Sequence, residues 1–144
     1  MLDFLINDDA TLKKILADTR TIAVVGLSSD PMRPSHDVAS YLKDAGYRII
    51  PVNPNETEVL GEKAVASLQD LTAGSVDVVE IFRRPGDVLP HVDEARNIGA
   101  RVLWMQDGTG SRAAAERAHA AGLVVVMDRC MLRDHMRLVR RDMP

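Results

Sequence analysis

Aromatic side chains are scarce in this sequence: Phe4, Tyr41, Tyr47, Phe82 and Trp104 make up only 3% of 144 residues. Base-stacking platforms lack their material, which disfavours nucleic acid as a partner. An excess of one charge is also missing, since 18 basic and 21 acidic residues leave a formal charge of −3. No global field draws the chain to nucleic acid or to an anionic membrane, so any anion site must be local. Cysteine is limited to Cys130, which excludes an intramolecular disulfide or a CxxC metal knuckle and fits a reducing compartment, the cytoplasm. His36, His91, His119 and His135 follow neither an HxH nor an HExxH spacing, so no metal is expected. The first residues carry Asp3, Asp8 and Asp9 instead of a basic leader. No apolar run approaches the ~20 residues of a membrane span, and no membrane association is expected.

What remains is an ordinary globular composition, 46% hydrophobic and 27% charged, of a size for one domain over residues 1–144. Four short apolar runs read as strands: Ile22 to Val25, Val76 to Ile81, Val102 to Met105 and Leu123 to Met127. A fifth, Arg48 to Val52, ends with a late proline that suits the end of a strand. Most are rich in Val and Ile without strict alternation, as in a parallel sheet covered on both faces. Helical spacing marks Ser35 to Ala45, Asp87 to Ile98 and Ser111 to Ala121, followed by Gly46, Gly99 and Gly122 respectively. Helices at about Asp8 to Asp18 and Met131 to Arg140 flank the unit. Between Val52 and Val76 only a short turn, Ser67 to Leu71, has helical character. The expected fold class is α/β, a single-domain Rossmann-like doubly wound sheet of five parallel strands with helices on both faces. Right-handed crossovers suggest the order 3-2-1-4-5, with ligands at the switch point between strands 1 and 4.

The first strand runs into Gly26-Leu27-Ser28-Ser29-Asp30-Pro31-Met32-Arg33-Pro34-Ser35. Gly26 admits close backbone approach, Ser28, Ser29 and Ser35 supply hydroxyls, and Arg33 a bidentate cation at a helix start, a set suited to a diphosphate. Ser28 and Pro31 stand where G-x-G-x-x-G needs glycine, and no Gly-Lys-Ser/Thr follows, so neither a dinucleotide fingerprint nor a Walker A loop is present. The second strand ends in Val52-Asn53-Pro54, without the acid that binds NAD ribose; an adenosine carrying a 3′-phosphate fits this neutral end better. The third ends in Phe82-Arg83-Arg84, where strand alternation allows at most one arginine toward the ligand. Trp104 to Gly110 and Asp128 to Met131 close the remaining strand ends.

Taken in order, Val25-Gly26-Leu27-Ser28 with Arg33-Pro34-Ser35, Gly46 to Pro54, Phe82-Arg83, Trp104-Met105-Gln106 and Met127-Asp128-Arg129-Cys130 resemble the stand-alone bacterial CoA-binding proteins. These are related to the CoA-binding domain of the succinyl-CoA synthetase alpha subunit. The likeness runs from about Thr21 to Leu138. It implies a non-catalytic binding or regulatory module that holds coenzyme A or an acyl-CoA at the strand ends. The first loop would hold the diphosphate, Val52 to Pro54 the adenosine side, and Phe82-Arg83 would lie along the ligand. Asp107-Gly108-Thr109 is more polar than the corresponding loop of that family. The phosphorylated-histidine domain of the synthetases has no counterpart, so ligase chemistry is not expected. Two other readings stay open: an NAD(P)-binding oxidoreductase, and a thiol or acyl exchange enzyme using Cys130. A protein partner or a homo-oligomer is equally open.

Overall fold

A computed structural model describes residues 2–140. After α1 (Asp9–Asp18), the chain forms β1 (Thr21–Val25), α2 (Pro34–Asp44) and β2 (Arg48–Val52). The small strands β3 (Glu58–Val59) and β4 (Glu62–Lys63) pair antiparallel, and β5 (Val78–Ile81), α3 (Leu89–Asn97), β6 (Val102–Met105), α4 (Arg112–Ala120), β7 (Val124–Met127) and α5 (Met131–Leu138) complete the order. Asp8 caps α1, its carboxylate accepting from the Thr11 amide at 2.9 Å. Ser111 caps α4 through the Ala114 amide in the same way.

Strand side chains alternate between two cores. Ala23, Val25, Val79, Ile81, Leu103 and Met105 meet Val92 and Ala95 of α3 and the alanines of α4. Ile22, Val24, Val78, Trp104 and Val126 meet Leu12 and Leu16 of α1, Val38 and Leu42 of α2, and Met131 of α5. The covering of both faces explains the unbroken apolar runs. Trp104 is fully buried and its indole N–H donates to the Arg129 carbonyl at 2.9 Å.

The expected fold class is the one formed, a five-stranded parallel sheet between helices, but the strands run β2-β1-β5-β6-β7. Counting the five sheet strands alone, this is 2-1-3-4-5: the third strand lies beside β1 and not outside β2 as expected. Pro51 supplies the reason. The amides of Arg48 and Gly26 and the carbonyls of Arg20 and Val52 join β2 to β1, whereas the Pro51 carbonyl faces the opposite way, toward Val65 N. Proline there leaves the outer side of β2 short of a donor, which confines β2 to the edge. Among the described residues a single bridge, Val52 to Val65, follows it outward. At the other edge, the Ile6 amide donates to the outward Val125 carbonyl at 3.0 Å. The switch point therefore falls between β1 and β5, not between β1 and β6.

Candidate functional site

At that switch point the chain leaves β1 through Gly26, whose φ is +87°. A Cβ on Gly26 would lie 2.2 Å from the Phe82 carbonyl oxygen, so only glycine lets β1 and β5 part at this rung. Above it opens a cleft of about 800 Å³, within the roughly 300–1,000 Å³ usual for small-molecule sites. Gly26, Ser28, Arg33, Ser35, Asn53, Phe82 and Arg83, seven of the ten residues singled out from the sequence, line it together. The other three stand outside the lining. Val52 is buried in the core and offers its carbonyl to Gly26 N at 2.8 Å. Ser29 and Pro54 are exposed beside the mouth.

The loop after β1 is braced by its own side chains. Ser28 N donates to Ser35 Oγ at 3.1 Å, Asp30 N to Ser28 Oγ at 3.0 Å, and Met32 N to Asp30 Oδ1 at 2.9 Å. Ser29 N donates to Glu56 Oε2 at 2.6 Å. The serine oxygens are thus acceptors within the loop, their hydroxyl hydrogens remaining to donate outward. By contrast, no side chain caps α2, which starts in the cleft at Arg33-Pro34-Ser35. An uncapped helix start beside a guanidinium attracts anions.

Sequence reasoning missed several lining residues. Arg84 joins Arg83 in the cleft, contrary to the alternation argument, because β5 ends at Ile81 and strand periodicity lapses before either arginine. Arg83 Nε is buried without a hydrogen-bond partner, a donor left for something outside the chain. Gln106, Asp107, Gly108, Thr109, Cys130 and Arg133 form the far wall. Gln106 is buried, its Oε1 accepting from Met131 N at 3.4 Å. Asp107 and Arg133 form an ion pair across the β6–α4 loop and α5. Cys130 is half-buried and precedes α5. Arg129, held by a bidentate pair with Asp134 at 2.8 Å on each arm, fixes the turn that carries Cys130. That pairing raises the Arg129 pKa.

One residue-pair deeper, Glu80 lies between Val24 and Trp104, fully buried with neither carboxylate oxygen hydrogen-bonded. Burial pushes its carboxyl up to about 8, so it is protonated at neutral pH.

The CoA binding domain family model matches residues 20–136 of this sequence. The chain belongs to the CoA-binding domain family. It is 43% identical over 122 residues to the protein YneT of Bacillus subtilis (strain 168), a match covering 85% of this chain and 90% of YneT. A solved structure of a hypothetical protein from Pyrococcus horikoshii OT3 superposes with a TM-score of 0.89 at 39% identity, covering 92% of this chain and 93% of the other. A shorter match, 41% over 63 residues, joins 43% of this chain to 14% of the acetate–CoA ligase [ADP-forming] II alpha subunit of Pyrococcus furiosus (strain ATCC 43587 / DSM 3638 / JCM 8422 / Vc1). Among the described residues no helix is long and apolar enough to cross a membrane, and no group of three or more His, Cys, Asp or Glu could hold a metal.

Proposed function

We propose that this chain binds coenzyme A or an acyl-CoA in the cleft at the head of β1 and β5, as a binding or regulatory module without a catalytic group of its own. The observation that carries the reading is the convergence of Arg33, Arg83, Arg84 and the uncapped start of α2 on one cleft at the switch point. These donors fit the diphosphate of such a ligand, and the unpartnered Arg83 Nε is a donor of the kind a phosphate oxygen satisfies. The far wall of Gln106, Thr109 and Cys130 would receive the pantetheine arm, its polarity suiting amide groups along that arm. Membership of the CoA-binding domain family supports the choice of CoA over other diphosphates, as does the likeness to part of an acetate–CoA ligase subunit.

Isothermal titration with CoA, acetyl-CoA and NADH tests this. Saturable micromolar binding of the CoA species without NADH binding is expected. NADH binding alone would favour the oxidoreductase reading. Catalysed thiol or acyl exchange that disappears in Cys130→Ala, with CoA binding retained, would make the protein an enzyme.

A further inference from the structure

The neutral end of β2 is less neutral in three dimensions than in the sequence. Asn53 Nδ2 donates to the Leu27 carbonyl at 3.1 Å and ties the end of β2 to the loop after β1. The backbone then turns, with Glu56 N donating to the Asn53 carbonyl at 3.2 Å. This returns the Glu56 carboxylate to the same loop, where Oε2 accepts from Ser29 N. Among the described residues no hydrogen bond to Oε1 is found. In dinucleotide-binding doubly wound folds the carboxylate that accepts from ribose hydroxyls stands at the end of the second strand, and Glu56 lies four residues past the end of β2. A carboxylate thus stands three residues past Asn53, bound to the loop after β1.

Arg83 and Arg84 line the cleft, whereas Glu56 lies outside its lining and is tied to the loop beside the cleft through Ser29, so charge is uneven around the cleft mouth. Arg83 and Arg84 follow β5 on one side of β1, while Glu56 follows β2 on the other. A diphosphate is attracted toward the arginines, whereas a phosphate on the ribose would approach a carboxylate already fixed in place. Resting on the CoA reading above, we propose that Glu56 is a specificity-determining residue that favours a free ribose hydroxyl over a ribose phosphate. The chain then holds CoA less tightly than this corner would otherwise allow, and accepts the 3′-dephospho form without that penalty.

Glu56→Gln isolates the charge, because the amide oxygen can still accept from Ser29 N. Titration of the unmodified chain and of this variant with CoA and with dephospho-CoA gives the preference directly. The ratio of affinities, CoA over dephospho-CoA, should rise roughly five- to ten-fold in the variant, the size of screened repulsion between a carboxylate and a phosphate about 5 Å apart. The gain should come from tighter CoA, with dephospho-CoA changed by less than about twofold. Glu56→Ala, which also removes the Ser29 contact and the ribose acceptor, should raise the ratio at least as much, and any common loss for both ligands reports those two lost contacts together. An unchanged ratio in both variants with both ligands still bound overturns this inference and leaves the CoA reading intact. Absence of binding for both ligands in all three proteins overturns the two together.

Discussion

Gly26 and Phe82 meet at the head of β1 and β5 with no room for a methyl group between them, and Phe82 N donates to the Val25 carbonyl at 2.9 Å. Neither backbone can withdraw without breaking the last rung between the two strands. Gly26→Ala therefore combines a left-handed φ with a clash against main chain. A loss of about 3 kcal/mol or more is expected, read as a lower urea midpoint at unchanged slope. A variant with the midpoint of the parent would show that this rung yields.

Glu80 makes stability depend on pH. The unfolded carboxyl titrates near 4.5 and the folded one at about 8, so between these values the folded chain keeps a proton that the unfolded chain has released. Stability from this group is complete below about pH 4.5 and is lost as pH rises toward 8, amounting to roughly 3 kcal/mol by pH 7. Glu80→Gln should flatten urea unfolding free energies between pH 5 and 8. A slope equal to that of the parent would assign the pH dependence to other groups.

Arg33 and Arg83 should contribute separately to CoA affinity. Replacing either by alanine is expected to cost about 1.5–3 kcal/mol, the range for a charged hydrogen bond, with a shallower dependence on salt. Arg83→Ala should be the costlier, because its Nε is already buried without a partner. Calorimetry that finds unaltered affinity for one of them removes that residue from the site.

Asp134 anchors α5 to the turn before it. Buried itself, it takes both arms of Arg129 and a further bond from Arg137 Nη2 at 3.2 Å. Asp134→Ala leaves the half-buried guanidinium of Arg129 unpaired, and a loss of about 2 kcal/mol in thermal or urea unfolding is expected. Because the same turn carries Cys130, alkylation of that thiol should quicken. Unchanged alkylation together with unchanged stability would mean that the pair is ornamental.

The elements themselves were legible because each carries its own periodicity: all five sheet strands and all five helices lie within a few residues of the expected limits. Strand order was harder. It depended on Pro51, whose missing donor matters only once the side of β2 facing β1 is known. In the candidate site, Gly26, Asn53 and Arg83 could be named because each closely follows a strand, and Arg33 because it stands at a helix start before Pro34-Ser35. Arg84 was hidden by carrying alternation past the end of β5. Arg133 comes from a helix that reaches over the cleft, and nothing in its sequence neighbourhood marks it. Glu56 belongs to no motif; its position follows from a turn between Asn53 and Glu56 that only the folded backbone displays.

The two rims of the sheet are finished differently but to one end. Pro51 withholds a donor on the β2 side, and the segment around Ile6 occupies an acceptor on the β7 side. Neither rim presents a continuous ladder on which a foreign strand could dock, which guards against fibril templating. Among the described residues, lateral growth of the sheet is thereby disfavoured at both rims.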